Sequence, residues 1–267
     1  MNDSFSRRHG FHPVAKEIKV RQDAPYELRG VLVEIAYATG FRPKTLRSVV
    51  CRALRRRPDP GNWSPYPNID SEIRNLLDEC EWYKVYDVIE EIYQAVSLNS
   101  SLGDPAEFDR EINSYFKDEG IGWQLISGRI EVRGEEGFEF GIHEAHQTLE
   151  ESGLRTASTE IHEAISDLSR RPDPDITGAI QHSMASLECV AREVCGNQKA
   201  TLGEILKKHP ELIPKPLDIS VEKAWGFASE MGRHLREGRV PTFEEAELVL
   251  GLCALVSVYL VKKRGSQ

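Results

Sequence analysis

The chain has 267 residues, 40% of them apolar and 29% charged, so it can bury a core and is not intrinsically disordered. Its first residues lack the apolar stretch of a signal peptide, and its longest apolar run, residues 248–261, falls short of the roughly 20 residues that a membrane-spanning helix needs. The five cysteines form no CxxC pair, and no His/Cys group has zinc spacing. We therefore expect a soluble, cytoplasmic protein with no membrane segment, structural metal or cofactor.

The charge is unevenly distributed along the chain. Residues 1–65 hold 13 Lys/Arg and 6 Asp/Glu, residues 66–154 hold 6 and 21, and residues 155–267 hold 15 and 16. A basic segment beside an acidic one favours either a nucleic-acid-binding patch or internal docking of the two segments.

Helical periodicity dominates the first half of the chain. An apolar stripe between Asp23 and Gly40 predicts a first helix, and Pro43 opens a second one. The acidic region at about 69–96 changes register near Glu81, which leaves open two helices or one kinked helix.

The only strong strand signal lies at residues 123–133. These residues are rich in β-branched and aromatic side chains around Ser127-Gly128, a dipeptide that suits a tight turn. The sequence therefore predicts a small β-hairpin after a short helix that starts at Asp104-Pro105.

The second helix carries a basic face opposite its apolar stripe. We assign Arg47, Arg52 and Arg55 of this face to nucleic-acid binding, where each neutralised phosphate would release counterions. The alternative is that these arginines pair with carboxylates of residues 70–91.

The second half of the chain reads as helix throughout. A helix at about 135–151 closes the first part, and we place the domain boundary after residue 152. The expected fold is mainly α, with a helical domain containing a small hairpin at residues 1–152 and an all-α bundle at 153–267.

The last helix, at residues 243–263, is apolar around most of its circumference. Such a helix belongs at the centre of a bundle, and its wide apolar surface predicts a homodimer through this bundle. Thr201 with Glu204, and Thr242 with Glu245, have the spacing of capping boxes at helix starts.

The segment before this last helix concentrates groups suited to RNA chemistry. Within residues 232–239, Arg233, His234 and Arg236 are candidate catalytic residues, and Arg239 is a candidate for RNA binding. Histidine exchanges protons near neutral pH and arginine binds phosphate oxygens in a bidentate manner, so together they can cleave RNA without a metal. The alternative is a solvated basic turn.

Glu188 is the candidate polar partner of this cluster. It lies at the edge of the apolar stripe of the helix at 176–194, where it can orient an Arg or His. Equally, it can pair with Arg192 one turn later, a residue that we also assign to RNA binding.

The pentapeptide RRPDP occurs twice, at residues 56–60 and 170–174. Both copies follow a helical pattern, and proline cannot continue a helix. We interpret them as two similar helix stops rather than as a duplicated binding motif.

Several runs of the sequence resemble known families. The first 140 residues resemble the fourth type of N-terminal domain of AbiJ-like abortive-infection proteins, through the runs FSRRHG, VCRALRRRPDPGNWSPYPNI, CEWYKVYDVIE and EGIGWQLISGRIEVRG. The C-terminal part resembles the HEPN-type helical domain that commonly follows, through LSRRPDPDITGAIQHSMASLECVAREVCG, ATLGEILKKHP and GFASEMGRHLREG.

The resemblance implies a bacterial anti-phage protein with a HEPN-like helical bundle. Active HEPN domains dimerise and cut RNA without a metal, using an Arg, four to six residues, then a His before the last helix, with a polar residue from an earlier helix. Here His234 and Glu188 match by position, whereas Arg233 is adjacent to His234 and Ser229 stands five residues before it. Some HEPN domains are inactive binding modules.

Two functions follow for this chain. The first is a metal-independent endoribonuclease of phage defence, with tRNA among its candidate substrates. The second is a non-catalytic sensor or dimerisation module that binds nucleic acid or protein.

Overall fold

The computed structural model describes residue 9, residues 16–233 and residues 240–265, with the backbone alone for residues 231–233. Within these ranges the fold consists of eleven α-helices and one two-stranded antiparallel hairpin, which confirms the mainly α class. The chain divides into two compact units, Met1–Arg133 and Gly134–Gln267. None of the described helices combines the length and apolar character needed to cross a membrane.

Among the residues that the structure describes, the first unit holds five α-helices followed by the hairpin. Their bounds are α1 Tyr26–Ala38, α2 Pro43–Ala53, α3 Asp70–Glu79, α4 Trp82–Leu98, α5 Pro105–Asp118, β1 Trp123–Ile126 and β2 Arg129–Val132. Proline stands at the first position of α2 and of α5, where its missing N–H costs no helical hydrogen bond. The acidic region forms two helices, since α3 ends at Glu79 and α4 begins at Trp82.

The predicted hairpin is confirmed. Trp123 pairs with Val132 and Ile126 with Arg129, which leaves Ser127 and Gly128 as a two-residue turn. Both turn residues have positive φ, +49° and +84°, as the common two-residue hairpin turn requires. A Cβ atom at Gly128 would lie 2.6 Å from the Tyr93 ring, so α4 packs on the turn closely enough to demand glycine.

Apolar side chains from every helix of the first unit fill its core. The helix α2 packs on α3 and α4, and α1 packs on α3 and α5. Leu28, Leu46 and Ile89 are almost fully buried, and each contributes about 1.5–3 kcal/mol to stability through burial. This core fixes α2 beside the acidic helices α3 and α4.

The described part of the second unit is a bundle of six helices. Their bounds are α6 Glu136–Glu151, α7 Arg155–Ser169, α8 Ile176–Cys195, α9 Leu202–Lys208, α10 Leu217–Arg233 and α11 Phe243–Gly265. The helix α8, and not the apolar last helix as expected from the sequence, lies at the centre, in contact with α7, α9, α10 and α11. The last helix, α11, packs on α6, α7 and α8. Both predicted capping boxes are present, at the starts of α9 and α11.

The packing assigns α6 to the second unit. Its buried residues include Ile142, Ala145 and Leu149, and the helix packs against α7 and α11. The division by packing therefore falls between Arg133 and Gly134, before α6, whereas the sequence placed the domain boundary after residue 152.

Candidate functional site

A groove of about 280 Å³ opens between α8 and α10 in the second unit. It combines polar and apolar side chains from both helices: Gln181, Met184, Ala185 and Glu188 from α8, and Trp225, Ala228 and Ser229 from α10. Two of the residues discussed for the candidate cluster, Glu188 and Ser229, thus face one cavity.

The carboxylate of Glu188 is held on both sides. One oxygen lies 2.6 Å from Nη2 of Arg192, and the other accepts a hydrogen bond of 2.8 Å from the backbone N–H of Leu202, the first residue of α9. The pair with Arg192, one turn later, is the alternative considered from the sequence. In addition, Glu188 satisfies a free N–H at the start of α9.

Arg192 is engaged in internal contacts as well. Besides its pair with Glu188, its Nε donates to the carbonyl of Ala200 at 2.7 Å, and its side chain is 28% exposed. It therefore connects α8 to the loop that precedes α9. Its assignment to RNA binding stays a prediction.

The Arg-His cluster begins at the end of α10. Arg233 is the last residue of that helix, one turn or about 6 Å along the axis from Ser229 on the groove wall. The side chain of Arg233, and the residues His234, Arg236 and Arg239, lie outside the described residues. Their roles stay predictions, and α10 leads from the groove directly to them.

In the first unit, two of the three predicted nucleic-acid-binding arginines pair with acidic residues. Nη1 of Arg47 lies 2.9 Å from an oxygen of Glu72, and Nε of Arg52 lies 2.9 Å from an oxygen of Glu91. These pairs are the ones that the internal-docking alternative predicts.

Glu72 is the centre of the first of these contacts. Burial raises its pKa, but hydrogen bonds from the Asp59 N–H, from Arg47 and from the Asn62 amide outweigh this effect and hold the pKa below its ordinary value. The ionised Glu72 thereby ties α2 to the loop that follows it.

Arg55 differs from Arg47 and Arg52. It follows α2 in the left-handed backbone region, with φ of +53°, and it is exposed together with Arg56 and Arg57. Within the described ranges, none of the three takes part in an ion pair or side-chain hydrogen bond. They form a cluster of three exposed positive charges at the end of α2.

Two exposed aromatic residues, which the sequence analysis did not single out, lie in the segment that follows. Trp63 is 78% exposed and Tyr66 is 59% exposed. The signal for them was their position within a Pro- and Gly-rich loop, where no helical or strand periodicity directs a side chain into a core.

A further cluster joins α7 to α8 in the second unit. Nδ1 of His182 lies 2.6 Å from Glu160, and Nε2 lies 3.6 Å from Asp167. Burial raises the pKa of Asp167, and Arg170 pairs with it at 2.8 Å. A sequence pattern could not identify these partners, because they lie on a different helix from His182. No three His, Cys, Asp or Glu side chains of the described part are arranged to hold a metal ion.

Comparison with known protein families identifies the first part of the chain. The family model for the AbiJ N-terminal domain 4 matches residues 3–148, more than half of the chain. The matched region contains all helices and strands of the first unit and most of α6. No curated protein and no solved structure matches the chain.

Proposed function

The chain belongs to the AbiJ N-terminal domain 4 family and is an abortive-infection defence protein, and from this premise we propose that it is a metal-independent, HEPN-type endoribonuclease. Its substrate is RNA, with tRNA as one candidate, and its place of action is the bacterial cytoplasm. The second unit would carry the active site.

The observation that supports this proposal most is the groove between α8 and α10. The carboxylate of Glu188 is held on the wall formed by α8, and the opposite wall is formed by α10, whose last residue is Arg233. Along the chain, the Arg-His segment follows directly after this helix. Metal-free RNA cleavage needs a proton acceptor and cations beside the phosphate, and we propose that this segment supplies both.

The proposed reaction uses the substrate's own hydroxyl group. The 2′-oxygen attacks the adjacent phosphorus while His234 accepts its proton. The bond from phosphorus to the 5′-oxygen of the next nucleotide breaks, that oxygen takes up a proton from water, and a 2′,3′-cyclic phosphate remains. Arg233 and Arg236 stabilise the negative charge that develops on the phosphate oxygens, and Arg239 and Arg192 bind flanking phosphates. Glu188 acts as a positioning residue.

We further propose that the second unit forms a homodimer through α11. Leu248, Leu255 and Tyr259 are 71%, 57% and 39% exposed, and their spacing of seven and four residues places them on one helix face. Phe140 of α6 is 70% exposed, and its neighbour Gly141 lies against Leu255. A contiguous exposed apolar face of this kind is typical of an interaction surface.

The dimer is tested by replacing Leu255 with Glu. We expect a wild-type dimer at micromolar concentration by light scattering and a monomer for the variant, because a charge would be buried without a partner. Tyr26→Ala, a change at an exposed aromatic residue of the first unit, is the control. A wild-type monomer contradicts the dimer proposal.

A second function is favoured by a specific observation. Ser229, rather than an arginine, stands on the groove wall five residues before His234, and both oxygens of Glu188 already have internal partners. In this alternative the second unit is a non-catalytic module that binds or dimerises. It would then transmit a signal that the first unit receives.

Incubation of the full chain with tRNA and total RNA in excess EDTA separates the two functions. We expect cleavage, and a rate at least about 100-fold lower for His234→Ala, since general acid-base catalysis contributes that much. His162→Ala, at an exposed histidine of α7, should cleave as the wild type does. Intact RNA with the wild type, or an unchanged rate for His234→Ala, contradicts the nuclease and supports the binding module.

A further inference from the structure

The loop after α2 combines exposed cations with exposed aromatic rings. We call residues 55–66 the basic-aromatic loop. Arg55, Arg56 and Arg57 are exposed at its start, and Trp63 and Tyr66 are 78% and 59% exposed near its end. An indole ring carries a large apolar surface that would normally be buried, so its exposure needs a reason.

The exposure of Trp63 does not result from a loosely attached loop. The residue before it, Asn62, accepts a hydrogen bond of 2.9 Å from Arg47 through its carbonyl and donates one of 3.1 Å to Glu72 through its amide. After it, the Ser64 hydroxyl donates to the Tyr66 carbonyl at 2.7 Å. The ring is thus presented to solvent by a backbone fixed on both sides, which lowers the entropy cost of binding.

The exposed arginines are not needed to end α2. The second RRPDP copy ends α7, and there Arg170 pairs with Asp167 and Asp175, while Arg171 donates to the Leu168 carbonyl. In the first copy, Arg56 and Arg57 make no such contact with the residues that the structure describes. Their charges are available to an external anion.

Acidic groups around the loop leave part of this positive charge uncompensated. Glu72 is already paired with Arg47, and Asp59, which accepts from the Gly61 N–H at 2.8 Å, offsets one of the three arginine charges. Glu91 is occupied by Arg52. The loop therefore has a local positive excess although the chain as a whole carries −9.

We infer that the basic-aromatic loop is a docking site for single-stranded nucleic acid. Arginines bind the phosphates, and Trp63 stacks on an unpaired base, a contact that every base offers through its π-face. A duplex cannot supply this contact because its bases are already stacked on each other. The site lies in the first unit, and it stands whether or not the second unit cleaves RNA.

The test measures binding without cleavage. The probes are labelled 2′-O-methyl RNA of about 10 nucleotides, which lacks the attacking hydroxyl, single-stranded DNA of the same sequence, and a duplex of the same length. Fluorescence anisotropy with the full chain, at about 50 and 200 mM salt, gives the affinity and its salt dependence. The RNA and DNA arms identify which single strand is preferred.

We expect Trp63→Ala to weaken single-strand binding by about 10-fold, while Trp63→Phe keeps most of the affinity because a ring remains. The plot of log affinity against log salt has a negative slope. Replacing Arg55, Arg56 and Arg57 by Gln should make this slope shallower by about 2. Tyr83→Ala and Arg110→Gln, at exposed residues of the same unit but outside the loop, are the matched controls and should bind as the wild type.

Four outcomes would overturn the inference. These are an absence of single-strand binding, equal affinity for the duplex, an unchanged affinity for Trp63→Ala, and an unchanged salt slope for the triple Gln variant. A further result would also be decisive. If no oligonucleotide binds, and if an acidic protein binds the wild type but not the loop variants, the loop is a protein-docking site and the inference is wrong. Equal melting temperatures of all variants exclude misfolding, since the altered side chains are exposed.

Discussion

The same five residues, Arg-Arg-Pro-Asp-Pro, follow α2 in the first unit and α7 in the second. The arginine side chains of the two copies make different contacts. In the second copy Arg170 pairs with Asp167 and Asp175. In the first copy the segment is held through its backbone, with the Asp59 N–H donating to Glu72. Both copies end a helix, as proline dictates.

The neighbouring sequence explains the difference. Asp167 and Asp175 lie three residues before and five residues after Arg170, whereas Ala53 and Gly61 occupy the equivalent positions around Arg56. Without these local carboxylates, the arginines of the first copy have no partner on their own helix. A repeated motif therefore fixes a backbone feature but not the contacts of its charged side chains.

The largest expected effect concerns the carboxylate that holds the first copy. Glu72→Ala removes the partner of Arg47, the Asp59 N–H and the Asn62 amide at once, so we expect a loss of about 2–3 kcal/mol in the free energy of unfolding. Chemical denaturation measures this loss. Glu79→Ala, at an exposed acid at the end of α3, should stay within about 0.5 kcal/mol. Equal losses in both variants would show that the Glu72 contacts stabilise the fold no more than an exposed acid does.

The second copy can be tested through a glycine. A Cβ atom at Gly178 would lie 2.4 Å from Oδ2 of Asp167 and 2.8 Å from Asp175, so Gly178→Ala should lower the free energy of unfolding by about 1–2 kcal/mol. Gly226→Ala in α10 meets nothing within 4 Å and should instead raise it by up to about 1 kcal/mol through helix propensity. A stabilising Gly178→Ala would mean that the carboxylate pair around Arg170 moves aside without cost.

The carboxylates that contact the two copies, Glu72 and Asp167, should make opposite contributions to the pH dependence of stability. The pKa of Glu72 is lowered in the folded state, so its contribution to stability is present above about pH 4.5 and is lost as the pH falls through the folded pKa. The pKa of Asp167 is raised, so its contribution is present below about pH 3.8 and is lost as the pH rises through the folded pKa.

Denaturation of Glu72→Gln and Asp167→Asn between about pH 3 and 7 checks these signs. Relative to the wild type, Glu72→Gln should become more destabilising as the pH rises. For Asp167→Asn it should become less destabilising, or more stabilising, over the same interval. Parallel curves for the two variants would contradict the opposed pKa shifts.

The smallest effect is expected for the exposed arginines. Arg56→Gln combined with Arg57→Gln should change the free energy of unfolding by less than about 0.5 kcal/mol, since both side chains are exposed and make no ion pair within the described ranges. Arg170→Gln should cost more, because it removes a link between α7 and α8. Equal costs for the two changes would remove the distinction between the copies.

Local signals account for what the sequence predicted well. The hairpin turn at Ser127-Gly128, the helix starts at Pro43 and Asp104-Pro105, and both capping boxes depend on neighbours within a few residues, and all are found in the structure. The pairing of Arg47 and Arg52 with acidic residues followed from a charge contrast large enough to read along the chain.

Contacts between distant residues account for what it missed. His182 meets Glu160 across two helices, and the exposure of Trp63 depends on Arg47 and Glu72 holding the loop. The packing of α6 on α11 likewise joins segments about 100 residues apart, which no local pattern can indicate. The Arg-His cluster was identified by residue type, and its geometry lies outside the described residues.

The positions of the tryptophans have a spectroscopic consequence. Trp63 is largely exposed and Trp123 is buried in the first unit, whereas Trp225 lines the groove of the second. Trp63 should emit at longer wavelength and be quenched by iodide, and Trp123 should not. A variant that keeps Trp225 as its one indole would report on the second unit alone, so a nucleotide that enters the groove between α8 and α10 becomes visible as a change in its emission.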